Sequence, residues 1–156
     1  MVYKIRVRII DTTPVKFSVV EKSVWYHVGG TWSECDGIHT ITMNGIGSSG
    51  ALRFSNAHNE SFIVVAGLMG PGEQHWSAIV TDLGVDHTAL WIHPGFYGEV
   101  KHPWTSEKEE TKRSEKGTQV TTRLVAQAGN EYFLHVIIYA SDSDVPRPNV
   151  VMKICF

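Results

Sequence analysis

The chain has 156 residues, enough for one domain with a sizeable core. Hydrophobic residues make up 42% of it and charged residues 19%, which excludes a disordered chain. The formal net charge is -2, so neither nucleic acid nor an anionic membrane is the expected partner.

The first segment, "MVYKIRVRII", sets Tyr3, Ile5, Val7 and Ile9 on one face and Lys4, Arg6 and Arg8 on the other. That alternation predicts a half-buried strand. The same charges leave no apolar h-region, so the start is not read as a signal peptide. No run approaches the roughly 20 apolar residues of a spanning helix, and no integral membrane segment is expected. The only cysteines are Cys35 and Cys155. Without a secretory signal they predict a cytoplasmic chain with reduced thiols.

Further strands are predicted in "KFSVVEKSVWYHV", "GTW", "IHTITM", "ALRFS", "SFIVVAGLM", "TQVTTRLVAQ" and "EYFLHVIIYA". Turn signals such as "DTTP", "VGG", "CDG", "AHNE", "GPGE" and "AGNE" separate them. Two regions break this pattern. In residues 75–98, Trp76, Ile79, Val80 and Leu83 fall near a 3.6-residue period, which predicts one or two short helices. Residues 105–117, "TSEKEETKRSEKG", carry no large apolar side chain and a capping-box-like Ser106 and Glu109. They predict a solvated helix or long loop.

Gly45, Gly47 and Gly50 in "GIGSSG" satisfy G-x-G-x-x-G. A dinucleotide fingerprint needs a helix after its last glycine, because the pyrophosphate rests on the helix N-terminus. Here "ALRFSN" follows, with Leu52 and Phe54 alternating against Arg53, which is a strand pattern. No nucleotide or other cofactor is therefore expected. The eight histidines include no H-x-H or H-E-x-x-H spacing, and no C-x-x-C occurs, so no metal is expected. No G-x-S-x-G elbow or standout carboxylate pair suggests catalysis. The residues favour a β-rich binding protein over an enzyme.

In order along the chain, "YKIRVRIIDTTP", "VEKSVW", "GGTW", "TMNGIGSSGALRF", "ESFIVVAGL", "TALWIHPGFYG" and "GNEYFLHVII" resemble segments of the fungal fruit-body lectins. That resemblance implies an all-β-dominated, actinoporin-like β-sandwich, its two sheets joined by a short helix-loop-helix. It implies a lectin domain over residues 1–140, with 141–156 as a C-terminal extension. It also implies a homotetramer and a non-catalytic glycan-binding function. The resemblance places a galactose-type site at His27, Val28, Ile46, Gly47, Ser48, Met69 and Gly70. Ile46 stands there in place of a serine, and Asn44, Ser48, Glu73 or Gln74 are candidate substitutes for missing polar groups. An N-acetylglucosamine-type site falls at Ala78, Ile79, Val80, Thr81, Asp82, His102 and Arg113. Ala78 replaces an aspartate, and Asp82 is the candidate substitute. Two other readings follow from the same fold. One is a membrane-active, pore-forming protein with Trp91, Phe96, Tyr97 and Trp104 as a lipid-facing cluster. The other is an interaction protein with degenerate sugar sites.

Overall fold

A computed structural model of the protein describes residues 1–25, 28–98 and 102–140. The extension at 141–156, and with it Cys155, lies outside the described residues. The strands are β1 (Tyr3–Asp11), β2 (Ser18–Trp25), β3 (Gly30–Cys35), β4 (Ile38–Met43), β5 (Ser49–Ser55), β6 (Ser61–Met69), β7 (Gln74–Val80), β8 (Glu109–Arg113), β9 (Thr118–Ala128) and β10 (Glu131–Ala140). One sheet has six strands in the order β3-β4-β1-β10-β9-β8, and the other has four in the order β2-β5-β6-β7. All pairings are antiparallel except β1 with β10.

The alternation in β1 does what the pattern requires. Tyr3, Ile5 and Val7 are buried in the core between the sheets with Ile41, Leu134 and Val136. The four-stranded sheet contributes Leu52, Phe54, Phe62, Val64 and Ile79 to the same layer. Phe54 stacks on Phe62 at 4.7 Å, and Phe17 tilts against Phe62 at 5.1 Å. These contacts lock the two sheets face to face, as in other sandwiches.

The four-stranded sheet is also covered on its outer face. A single α-helical turn, α1 (Ala89–Ile92), runs directly into a 3-10 turn (His93–Phe96). Ala89, Ile92 and Phe96 pack there on Ala51, Ile63, Val65, Trp76 and Ala78. This explains why β6 is buried along eight of its nine positions. Glu21 of β2 fixes the start of α1, accepting hydrogen bonds from the Ala89 and Leu90 amides at 2.7 and 3.0 Å. A carboxylate there satisfies orphan amides and complements the helix dipole.

Three expectations change. Trp76, Ile79 and Val80 belong to strand β7, not to a helix, and helix begins only at Ala89. β7 is buried on both faces, so apolar residues fill both phases and no longer report a period of two. Residues 109–113 of the charged run form the edge strand β8 rather than a helix or loop. Pairing with β9 supplies its backbone bonds, and Glu109 meets Arg123 across the ladder. Charged side chains suit an exposed edge. Cys35, the last residue of β3, is disulfide-bonded, which corrects the expectation of a reduced thiol at this position.

"GIGSSG" leads into strand β5 at Ser49, with no helix after it. Gly50 serves packing: a Cβ there would lie 2.4 Å from the Trp32 indole. Gly67 likewise leaves room for Trp76, whose ring would lie 2.7 Å from a Cβ. Only glycine leaves room for either indole at these positions.

Candidate functional site

The outer face of the four-stranded sheet carries two hollows, one at each end of the 88–97 segment. Along β7 the side chains of Trp76, Ala78 and Val80 share this face. Trp76 lines the first hollow, Val80 lines the second, and Ala78 is buried beneath the helical segment.

The first hollow encloses about 410 Å³ and is lined by Ile46, Gly47, Leu68, Met69, Gly70, Trp76, Phe96, Tyr97 and Trp104. Its floor is the Trp76 indole, with Phe96 at 5.8 Å, Trp104 at 6.2 Å and Tyr97 at 6.4 Å between ring centres. Backbone bonds between Ser77 and Thr105, at 2.8 and 2.9 Å, fasten the chain beside Trp104 to the free edge of β7. Ile46 leans across the opening: its Cδ1 lies 3.1 Å from where a Cβ on Gly70 would sit. Of the galactose-type residues, the structure brings Ile46, Gly47, Met69 and Gly70 together here. Val28 lies nearby, with its methyls against Gly45. Ser48 is fully buried and does not line the hollow. His27 lies outside the described residues. Of the candidate substitutes, Glu73 and Gln74 line a different cavity.

A buried polar network holds the wall formed by the 3-10 turn. His93 bonds Ser23 Oγ through Nδ1 and Ser49 Oγ through Nε2, both at 2.7 Å. Ser49 Oγ is also 2.7 Å from the Tyr97 hydroxyl and donates to the Trp25 carbonyl at 3.0 Å. Burial pushes the His93 pKa down to about 4, so the ring is neutral here. Burial also raises the Tyr97 pKa, against the opposing effect of its bond to Ser49.

The second hollow encloses about 390 Å³ and is lined by Val80, Thr81, Asp82, Leu83, His87, Trp91, Ile92 and His102. Its chemistry is different. Trp91 is 67% exposed and stacks on His87 at 5.3 Å with 10° between the rings, making a flat aromatic wall open to solvent. His87 Nδ1 accepts from the Gly84 amide at 2.9 Å. Asp82 holds a left-handed backbone at φ 61°. Its Oδ1 accepts from the Glu115 amide at 3.0 Å and its Oδ2 from the Thr81 hydroxyl at 3.1 Å. These bonds fix the carboxylate and still leave lone pairs for a ligand. Of the N-acetylglucosamine-type residues, Val80, Thr81, Asp82 and His102 meet here. Ala78 and Ile79 are core residues on opposite faces of β7, and Arg113 is exposed at the end of β8.

The aromatic residues considered as a lipid-facing cluster do not form one patch. Phe96, Tyr97 and Trp104 border the first hollow, and Trp91 borders the second. Trp76, Leu68, His87 and Ile92 also line the hollows but are absent from the sequence-derived sites. The tryptophan and histidine density of "HWSAIV" and "DHTALWIH" was the only signal for Trp76, His87 and Ile92, and Leu68 had none. Among the described residues, no three His, Cys, Asp or Glu side chains gather where they could hold a metal ion. No helix among them is long and apolar enough to cross a membrane.

The model of the family "Fungal fruit body lectin" matches residues 1–138. Boletus edulis lectin is 37% identical over 143 residues, covering 88% of this chain and 99% of that protein. The X-ray structure of wild-type Xerocomus chrysenteron lectin has a TM-score of 0.80 to this fold at 36% identity, covering 89% of this chain and 100% of that one. The lipid-binding protein Nakanori shares the fold alone, with a TM-score of 0.57 at 11% identity over 87% of this chain and 70% of its own. The chain thus belongs to the fungal fruit body lectins, non-catalytic carbohydrate-binding proteins built here on an actinoporin-like sandwich of two sheets.

Proposed function

We propose that this lectin binds galactose or N-acetylgalactosamine in the first hollow and N-acetylglucosamine in the second. The observation carrying this reading is the aromatic surface in each hollow, Trp76 and Trp104 in the first and Trp91 in the second, set beside residues of the β6–β7 region. Sugars have an apolar C–H face and directional hydroxyls, and sites for them combine a wall with a few fixed polar groups. The second hollow supplies Thr81 and Asp82 beside Trp91. In the first hollow the Ile46 and Met69 side chains are part of the lining. That favours N-acetylgalactosamine, whose acetamido methyl can rest on Ile46, over galactose. Assembly as a homotetramer would set several such hollows on one particle, raising avidity for clustered glycans.

Calorimetric titration tests each hollow. Ile46→Ser exchanges a methyl-rich wall for a hydroxyl. It is expected to tighten binding of Gal-β1,3-GalNAc by about fivefold, the worth of one net hydrogen bond. Equal affinity in both proteins would show that Ile46 does not touch the sugar. Asp82→Asn keeps the side-chain shape and suits the left-handed backbone, but removes the charge. It is expected to weaken N-acetylglucosamine binding by about tenfold, in line with the loss of a charge-assisted hydrogen bond. Unaltered N-acetylglucosamine affinity in Asp82→Asn would remove that carboxylate from the site.

A further inference from the structure

A third crevice lies on the opposite side of the β6–β7 turn, in the gap between the two sheets. It encloses about 390 Å³. Pro71, Glu73 and His75 form one wall, and Leu124, Gln127 and Tyr132 of β9 and β10 form the other. No residue of either hollow described above lines it.

His75 is the unusual group. It is 5% exposed, and neither ring nitrogen has a hydrogen-bond partner among the described residues. Buried polar atoms are rarely left so, because each unsatisfied one is costly. Burial alone pushes its pKa down to about 4, so the ring is neutral at physiological pH. It then offers one donor and one acceptor, the complement of a hydroxyl that accepts and donates.

The wall beside it is held in place. Tyr3 Oη donates to Glu73 Oε1 at 2.6 Å, and Tyr132 Oη donates to the Glu73 carbonyl at 2.8 Å. Glu73 itself takes a left-handed backbone at φ 57°, which these bonds stabilise. At the rim, Lys108 offsets Glu73, while Gln74, Gln127 and Ser106 add neutral donors and acceptors. This balance suits a neutral polyol better than a phosphate or other anion. Leu124 and Pro71 supply an apolar surface for C–H groups.

The geometry points to a further carbohydrate subsite in this crevice, where His75 binds a hydroxyl pair of a neutral pyranose residue. It is separate from the two proposed sugar hollows and stands whether or not they bind.

Histidine-detected ¹H–¹⁵N NMR tests it directly. The probes are the methyl glycosides of galactose, glucose, mannose and N-acetylglucosamine. The His75 ring nitrogens are expected to shift on titration with at least one glycoside, while those of His93 stay fixed. Two variants localise the effect. His75→Leu removes both nitrogens without polar replacement, and Ser106→Trp plugs the exposed rim while leaving the core intact. Each is expected to weaken that glycoside at least about tenfold at the crevice and to leave N-acetylglucosamine binding at the Asp82 hollow unchanged. If His75→Leu fails to fold, Ser106→Trp decides alone. His75 signals unmoved by all four glycosides, or a shift equally strong in Ser106→Trp, would overturn the inference. A His75 shift without any binding at the Asp82 hollow would sustain this subsite and defeat the proposal for that hollow.

Discussion

Lowering the pH from 7 to 4.5 is expected to remove about 2 kcal/mol of stability at each of two buried histidines, His75 and His93. Both are almost fully buried, and burial pushes both pKa values from 6.5 to about 4. A folded-state pKa below the unfolded one means that the unfolded chain takes up protons that the native fold refuses. Stability is therefore complete above pH 6.5 and falls as pH drops from there towards 4. The His135 pKa is also lowered, by burial first and then by Arg8 and Arg123, so its contribution has the same sign. Urea unfolding at pH 7 and 4.5 checks the effect, and His75→Leu should remove about half of the difference between the two. A flat profile over that range would mean that these rings carry a proton in the native state. Net stabilities of small domains are only about 5–15 kcal/mol, so the expected loss is large enough to bring acid unfolding into this window.

Truncating Trp76 to alanine is expected to cost about 3–5 kcal/mol, the usual range for removing a large aromatic from a core. Trp76 is 6% exposed and is the hub that Phe96, Tyr97 and Trp104 all touch. Its loss should also collapse the first hollow, because the indole is the floor there. The second hollow shares no lining residue with the first, so any folded Trp76→Ala protein should keep N-acetylglucosamine affinity while losing the galactose-type ligand. Trp76→Phe should recover much of the stability. Thermal unfolding and two calorimetric titrations measure all three effects. A midpoint within a degree of the wild type would contradict the packing role. Equal loss at both hollows would mean that they are one cooperative unit.

The sandwich was legible because its strands alternate apolar with polar side chains along the sequence. β1 is the clearest case, with Tyr3, Ile5 and Val7 in the core and lysine and arginine between them. β7 misled for the opposite reason. Trp76, Ala78 and Ile79 are all buried, since the sheet is covered on both sides, and the period-two signal vanished. β8 was hidden because an edge strand needs only a partner's backbone, and its charged side chains carry no apolar alternation. The hollows were legible in part. Ile46 and Gly70 come from neighbouring stretches of the family-like motif, whereas Trp104 reaches Trp76 from 28 positions away through the Ser77–Thr105 bridge. Nothing in residue types forecasts such a meeting. Nor does local sequence reveal the His93 network, which joins β2, β5 and the 3-10 turn through single side chains.

The central claim is that two hollows flanking the 88–97 segment bind different sugars. A glycan array probed with the purified protein tests it most directly. The account predicts retention on glycans ending in galactose or N-acetylgalactosamine and, separately, on glycans ending in N-acetylglucosamine. Free N-acetylglucosamine should compete only with the second group, and Asp82→Asn should weaken only that group. An array on which no glycan is retained, or on which one free sugar displaces both groups alike, would contradict it.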